Sequence, residues 1–444
     1  MDETARLIFE NSRKIMSHGM GNETADEIKK RILDSIYVAY GAINADPITI
    51  ERNALLPSSG KRNSTLYFTN QKASVDVATL INGSMTRYHD FSDTYLSKEA
   101  LHPSDNIPPV LAMAETLESA GEEVIRSIEA AYEVIGAFSD AVSIRDRGWD
   151  HVTYISISSA AGLSSVMGHD SDRFINTLNL AINNNISLRQ TRSGELSMWK
   201  GCTASNASRN SVFAALLADS GFTGPSPIFS GEMGFFKQVS GPLSLDFSKN
   251  HILQTMIKNY PVEYHAMSAA QAALELRETI SGEITGIEVE TFEVAYKIII
   301  KDPEKLRPRT KETADHSMPY IIAYCLTYGR PGLDAYDSRY LNDRNILSKI
   351  DIMNFTVSER FNRMYPESLP VRIKVRTTTG EYEKEITVPK GHYKNPYSWE
   401  DLLEKGTSIM GKTDAKKLSE VVRSLEKRGV DELFEVMSSV KNER

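Results

Sequence analysis

The stretch from Tyr88 to Asn106 is the densest polar cluster in the chain. Its run YHDFSDTYLSKEALHPSDN gathers His89, Asp90, Asp93, Thr94 and His102. Histidine both takes and gives protons near neutral pH, because its ordinary pKa is about 6.5. A carboxylate such as Asp90 can orient an imidazole and select its tautomer. The run lies between two helical patterns, where loops bring functional groups to a site. It also reads as a plain helix end and loop. On that reading Asp90 is a capping carboxylate and His102-Pro103-Ser104-Asp105 is the N-cap region of the next helix. His89 is expected to be structural.

Other chemistries are excluded. No GxGxxG follows a strand, and there is no GxxxxGK[ST], HExxH or GxSxG. The chain has two cysteines, Cys202 and Cys325. They are too few for an iron–sulfur cluster and imply a reducing, cytoplasmic setting with no disulfide framework. Cys202 is expected to be a small packing residue. A net charge of -8 and a pI near 5.7 argue against nucleic acid or an anionic membrane as partner. They leave room for an anionic metabolite held by a local cationic cluster. The N-terminus does not read as a signal peptide, and no apolar run is long enough to span a membrane.

The elements that must position these residues follow from periodicity. The length of 444 residues, 41% hydrophobic and 25% charged, predicts two domains or three. Up to about residue 265 the pattern is helical. Thr24 to Glu27 reads as a capping box before Ile28, Ile32, Leu33 and Ile36. Val124, Ile128, Ala131 and Ile135 mark a second helix, and Asn206 to Ala218 a buried one. Ser156 to Met167 is small and apolar nearly all round. It suits close helix packing, or a helix that leaves room for a ligand. After Ser268 one more helix precedes alternating strands at Ile287, Val289, Thr291 and at Val371, Ile373, Val375. Thr379-Gly380 then turns into Ile386 and Val388, a hairpin. Helical segments lie near Ser317 to Thr327 and Leu341 to Ile350, and Gly391 to Trp399 reads as a return linker. The expected fold is mainly α: a large all-helical domain built from both chain ends (residues 1–266 and 394–444), with an inserted smaller α+β lid domain (267–393).

Four segments, in order, are similar to one family. RYHDFSDTYLSKEALHPSDNIPPVLAMAE, GELSMWKGCTASNASRN, KNYPVEYHAMSAA and DPEKLRPRTKETADHSMPYIIA resemble the MmgE/PrpD family, with its DFxDT motif followed by HPS. The resemblance covers nearly the whole chain. It implies a helical domain with a small lid, a homodimer, no cofactor and no metal. Its members include 2-methylcitrate dehydratases, cis-aconitate decarboxylases and iminodisuccinate epimerases.

The resemblance places active-site residues at Asp90, Thr94 and His102, a second histidine at His151, a lysine at Lys200 and a tyrosine at Tyr320. In the decarboxylases another histidine lies six residues after the Pro of the F/Y-P motif. Counted from Pro261 that position is Met267, and a histidine stands instead at His265, whose role is open. Two extra residues separate Thr94 from His102, as in dehydratase-like members. The implied reactions all build negative charge on a carboxylate, which fixed cations must hold. Lys200 is the candidate, with Arg87 or Arg192 in support, and His102 and His151 share the acid and base roles. Lys200 also reads as a solvated helix-end lysine, and Tyr320 as a core tyrosine. The expected activity is metal-independent dehydration of 2-methylcitrate, with citrate as a side substrate. Decarboxylation of cis-aconitate to itaconate and epimerisation are the alternatives, and a non-catalytic binding protein is the last.

Overall fold

The computed structural model describes residues 2–19 and 21–440. Helices make up 59% of it, so the fold is mainly α as expected. Helix Asn22–Gly41 buries Ile28, Ile32, Leu33 and Ile36 completely. Helices Trp399–Met410 and Lys412–Arg423 pack on it from the other end of the chain. Leu402, Ile409, Leu418 and Val422 join the same apolar core. Each such side chain contributes about 1.5–3 kcal/mol through burial, so the two chain ends are held together by their shared core.

The expected capping box is corrected. The helix begins two residues earlier, at Asn22, with Gly21 at the N-cap. Thr24 is buried inside its first turn and accepts a hydrogen bond from Asn250 Nδ2 (2.8 Å). Glu27 pairs with Lys30 (2.7 Å) and Arg31 on its own helix.

Helices Val75–Arg87, Gly121–Ala141, Val152–Val166 and Trp199–Asp219 pack closely with one another. The small-residue segment fills helix Val152–Val166 from Ser156 onward, with Met167 at the C-cap, and serves this packing. Ser158 and Ser159 both donate to Asn106 Oδ1 at 2.8 Å. Cys202 and Cys325 are buried and unbridged. No helix among the described residues is long and apolar enough to cross a membrane.

Four strands form one sheet, in the order Met353–Val357, Ile284–Thr291, Val371–Thr377, Glu381–Ile386. The expected hairpin is present, with Val371 opposite Ile386 and Arg376 opposite Glu381, but its second strand ends at Ile386 and Val388 lies beyond it. Strand Met353–Val357 was not anticipated. It is a short edge strand with three exposed residues out of five, so it carries little apolar alternation. It pairs in parallel with Ile284–Thr291. A parallel pair needs a long crossover, and here residues 292–352 supply it. That crossover carries Lys305, Asp315 and His316 to the site.

Candidate active site

Asp90, Thr94, His102, His151, Arg192 and His265 line one cavity. They come from four separate stretches of chain. Asp90 follows helix Val75–Arg87 and takes a left-handed backbone (φ 49°), which costs a non-glycine residue roughly 1–2 kcal/mol. The contacts around it offset that cost. Its N–H donates to the Arg87 carbonyl (3.1 Å), and its own carbonyl accepts from Lys258 Nζ (2.7 Å). Its carboxylate meets three cations: Lys258 Nζ at 2.6 Å, Arg87 Nη1 at 3.2 Å and Lys200 Nζ at 3.8 Å. Burial alone would raise its pKa. Lys200, Lys258 and Arg87 outweigh that and hold it well below the ordinary value.

Lys200 and Arg87 stand behind Asp90, outside the cavity lining. Lys200 is buried and no solvated helix-end residue. Its Nζ lies 3.2 and 3.3 Å from the two Asp315 carboxylate oxygens and 3.4 Å from His316 Nδ1. Arg87 also pairs with Asp105 at 3.2 Å. Burial pushes the Asp105 carboxyl up to about 7, with Arg87 opposing.

The two histidines are held differently. His102 Nδ1 is 2.7 Å from the Asp93 carbonyl and 3.3 Å from Thr94 Oγ1. A carbonyl can only accept, so Nδ1 carries the proton and Nε2 keeps a lone pair. Asp93 fixes the turn itself, accepting from Ser104 N–H (2.9 Å) and Tyr132 O–H (2.8 Å). His151 Nδ1 faces Asp150 Oδ1 at 3.2 Å, and Asp150 Oδ2 meets Arg192 Nε at 2.9 Å. His151 Nε2 is buried without a hydrogen-bond partner among the described residues. The two rings are 5.8 Å apart, centre to centre. Burial lowers both pKa values well below the ordinary value. For His102 the Arg87 and Lys258 charges add to the effect, and for His151 Asp150 opposes it.

His265 belongs to the cavity. Its Nδ1 is 2.7 Å from Glu263 Oε1, and its Nε2 is 3.3 Å from the Tyr365 hydroxyl. Met267, at the counted position, is instead buried in apolar core. Tyr320 is corrected: the structure does not bring it to this cavity. Its hydroxyl donates to the Ala335 carbonyl (2.7 Å), and its ring packs with Tyr324 and Tyr336. Helix Met318–Tyr328 turns that side chain into a neighbouring core.

In place of Tyr320, the same segment sends His316 into the cavity wall. Its Nδ1 is 2.5 Å from Asp315 Oδ1. Burial, and then the Lys200 charge, lower its pKa to about 4 despite Asp315. Sequence reasoning also passed over Lys258, Glu263, Arg145, Arg189 and Lys305. Lys258, Glu263, Lys305 and His316 all lie inside segments that carry the family resemblance, which was the available signal. Arg145 and Arg189 lie outside those segments. Among the described residues, no group of three or more His, Cys, Asp or Glu side chains is placed to hold a metal ion.

Fold and cavity define a mainly helical protein in which histidines and charged side chains gather around one cavity. The MmgE/PrpD N-terminal domain matches residues 14–248 and the MmgE/PrpD C-terminal domain residues 260–427. The chain belongs to the MmgE/PrpD family. It is 26% identical to a mitochondrial 2-methylcitrate dehydratase of Yarrowia lipolytica, over 76% of this chain and 68% of that one. It is 28% identical to a 2-methylcitrate dehydratase of Cupriavidus necator, over 60% and 59%. With that of Escherichia coli K12 it shares 27%, over 70% of each.

Proposed function

We propose that this chain is a hydro-lyase that removes water from 2-methylcitrate to give 2-methyl-cis-aconitate without a metal, with citrate as a slower substrate. The observation that carries the reading is the pair His102 and His151, 5.8 Å apart in the wall of one cavity, each with Nδ1 tied back to an acceptor. The names of the relatives support the substrate.

His102 is the base. Its Nε2 lone pair takes the proton from the carbon beside a substrate carboxylate, and the freed electron pair forms the C=C bond. The C–O bond breaks, and the hydroxyl leaves as water with a proton from His151 Nε2. Asp150 beneath His151 stabilises its charged form, as the acidic member of a triad does. Burial lowers its proton affinity in the free site, and the negative charge of a bound trianion opposes that, so His151 takes up its proton as substrate binds. After turnover His102 returns its proton and His151 regains one, so protons balance. Lys200 acts through Asp90 and Asp315, ordering the cationic end of the site.

At about 80 Å³ the cavity is smaller than the roughly 300 Å³ or more of ordinary ligand pockets. We therefore read residues 267–393 as a lid that parts from residues 1–266 and 394–444 to admit substrate. The homodimer belongs to the same proposal. Trp199, Phe213 and Leu216, 49%, 55% and 42% exposed, share one face of helix Trp199–Asp219 at 3.6 residues per turn. Exposed apolar side chains on one face, with Arg209 among them, suit a second copy of the chain.

The test is to incubate EDTA-treated protein with 2-methylcitrate, citrate and cis-aconitate, following unsaturated product and carbon dioxide. Dehydration of 2-methylcitrate at an undiminished rate is expected. Carbon dioxide from cis-aconitate, or loss of activity restored by a metal, would overturn the reading.

A further inference from the structure

Two cations in the cavity wall have no side-chain partner among the described residues. Arg189 opens the short turn Arg189–Arg192, which a hydrogen bond from its N–H to the Gly148 carbonyl (2.9 Å) pins down. The acids on its side are engaged elsewhere. Asp150 holds Arg192 at 2.9 Å and His151 at 3.2 Å. Glu99 lies 3.4 Å from Arg145 Nε and accepts from the Ile144 and Arg145 N–H groups at 2.9 and 3.2 Å. Lys305 reaches the same cavity from the crossover and is 5% exposed. The acid on its side, Asp315, already serves Lys200 (3.2 Å), Lys311 (3.4 Å) and His316 (2.5 Å). Among the described residues, no side-chain hydrogen bond or ion pair ends on the Arg189 guanidinium or the Lys305 ammonium. Lys305 is almost wholly withdrawn from water and Arg189 is half-buried, and a cation withdrawn from water without a counter-ion is disfavoured. Both of these face the cavity that holds His102 and His151.

We infer that Arg189 and Lys305 form a two-point clamp for the substrate carboxylates remote from the carbon that loses its proton. The inference rests on the tricarboxylate reading above. The guanidinium fork matches a carboxylate in two hydrogen bonds, and the ammonium meets another as a point charge. Arg189 belongs to the helical part of the chain and Lys305 to the sheet-bearing part. A polycarboxylate bridging the two therefore draws them together, and a monocarboxylate cannot.

The probe is propane-1,2,3-tricarboxylate, which keeps three carboxylates and has no hydroxyl to lose. Its binding is measured by titration calorimetry to the full chain and to Arg189→Gln and Lys305→Met. Each substitution is expected to weaken binding about 10- to 100-fold, the usual loss for a charge-assisted hydrogen bond. In turnover the same loss appears in KM, with kcat changed far less. Neither ligand-free variant should melt below the parent chain, because each loses a cation that has no partner. Arg189→Lys should recover part of the affinity. Parent-like affinity in both variants overturns the clamp, and so does a drop in melting temperature that accounts for the weakened binding. If the parent chain binds the probe through Arg189 and Lys305 but does not dehydrate 2-methylcitrate, the clamp stands and the proposed reaction falls.

Discussion

Asp90 is where charge converges, and its neighbours decide what each substitution does. Lys200 is shared between Asp90 and Asp315 in the interior. Lys200→Ala removes a cation from two buried carboxylates, though Lys258, Arg87 and Lys311 remain beside them. A loss of about 1–3 kcal/mol in urea unfolding is expected, together with a fall in kcat/KM of about 100-fold or more. Parent-like kcat/KM in a folded Lys200→Ala chain would place the site elsewhere. The histidines set the pH response. Burial first, then Arg87 and Lys258, lower the His102 pKa well below its ordinary value. A lowered pKa keeps the imidazole neutral, and so able to accept a proton, in more acid solution than usual. The acid limb of kcat/KM against pH is thus expected below the free-histidine value of about 6.5. A limb above about pH 7 would contradict His102 as the base.

At the scale of elements, two helices set the distance between the cations and Asp90. Helix Val75–Arg87 ends on Arg87, and helix Trp199–Asp219 begins beside Lys200. They approach at Gly83, where an added Cβ would sit 2.6 Å from Ser205 Cβ. Glycine is needed there for space, not for its backbone angles. Gly83→Val is expected to force the helices apart, costing roughly 1–3 kcal/mol and lowering kcat by shifting Lys200 from Asp90. Thermal melts and steady-state kinetics on the same variant check both effects. A stable variant with reduced kcat would already support the spacing argument. A variant with unchanged melting and kcat would refute it. Helix Trp399–Met410 matters for a similar reason. Lys405 pairs with Asp34 (2.6 Å) and donates to the Phe91 and Lys258 carbonyls (2.9 and 3.0 Å). An element from the end of the chain thus steadies the backbone beside Asp90.

At the scale of the whole molecule, the active cavity takes residues from the helical part and from the crossover of the sheet. In the proposed lid motion, one part moving against the other opens and completes it. The apolar face of helix Trp199–Asp219 starts one residue from Lys200 and leads away from the site. Phe213→Asp is expected to shift the sedimenting species from dimer to monomer, because a charge at the centre of an apolar interface is costly to desolvate. A monomeric parent chain in the same experiment would count against the dimer itself.

The sequence alone determined much of this protein. Helical periodicity, the two alternating strand runs around Thr379-Gly380 and the segment from Arg87 to Glu115 identified a mainly α fold, its sheet and its family. These are local patterns, and burial of one face of an element is written locally in residue spacing. It also named Asp90, Thr94, His102, His151, Arg192 and His265, which meet in one cavity. Tyr320 could not be placed this way, because the direction of a side chain at a helix start depends on which neighbour the helix packs against. His316, two residues before that helix, had no distinguishing pattern. Lys258, Arg189 and Lys305 are single cations among the 51 Lys and Arg residues of the chain. What sets them apart is burial and the presence or absence of an acid nearby. Those follow from contacts between distant stretches, which the tertiary structure alone decides.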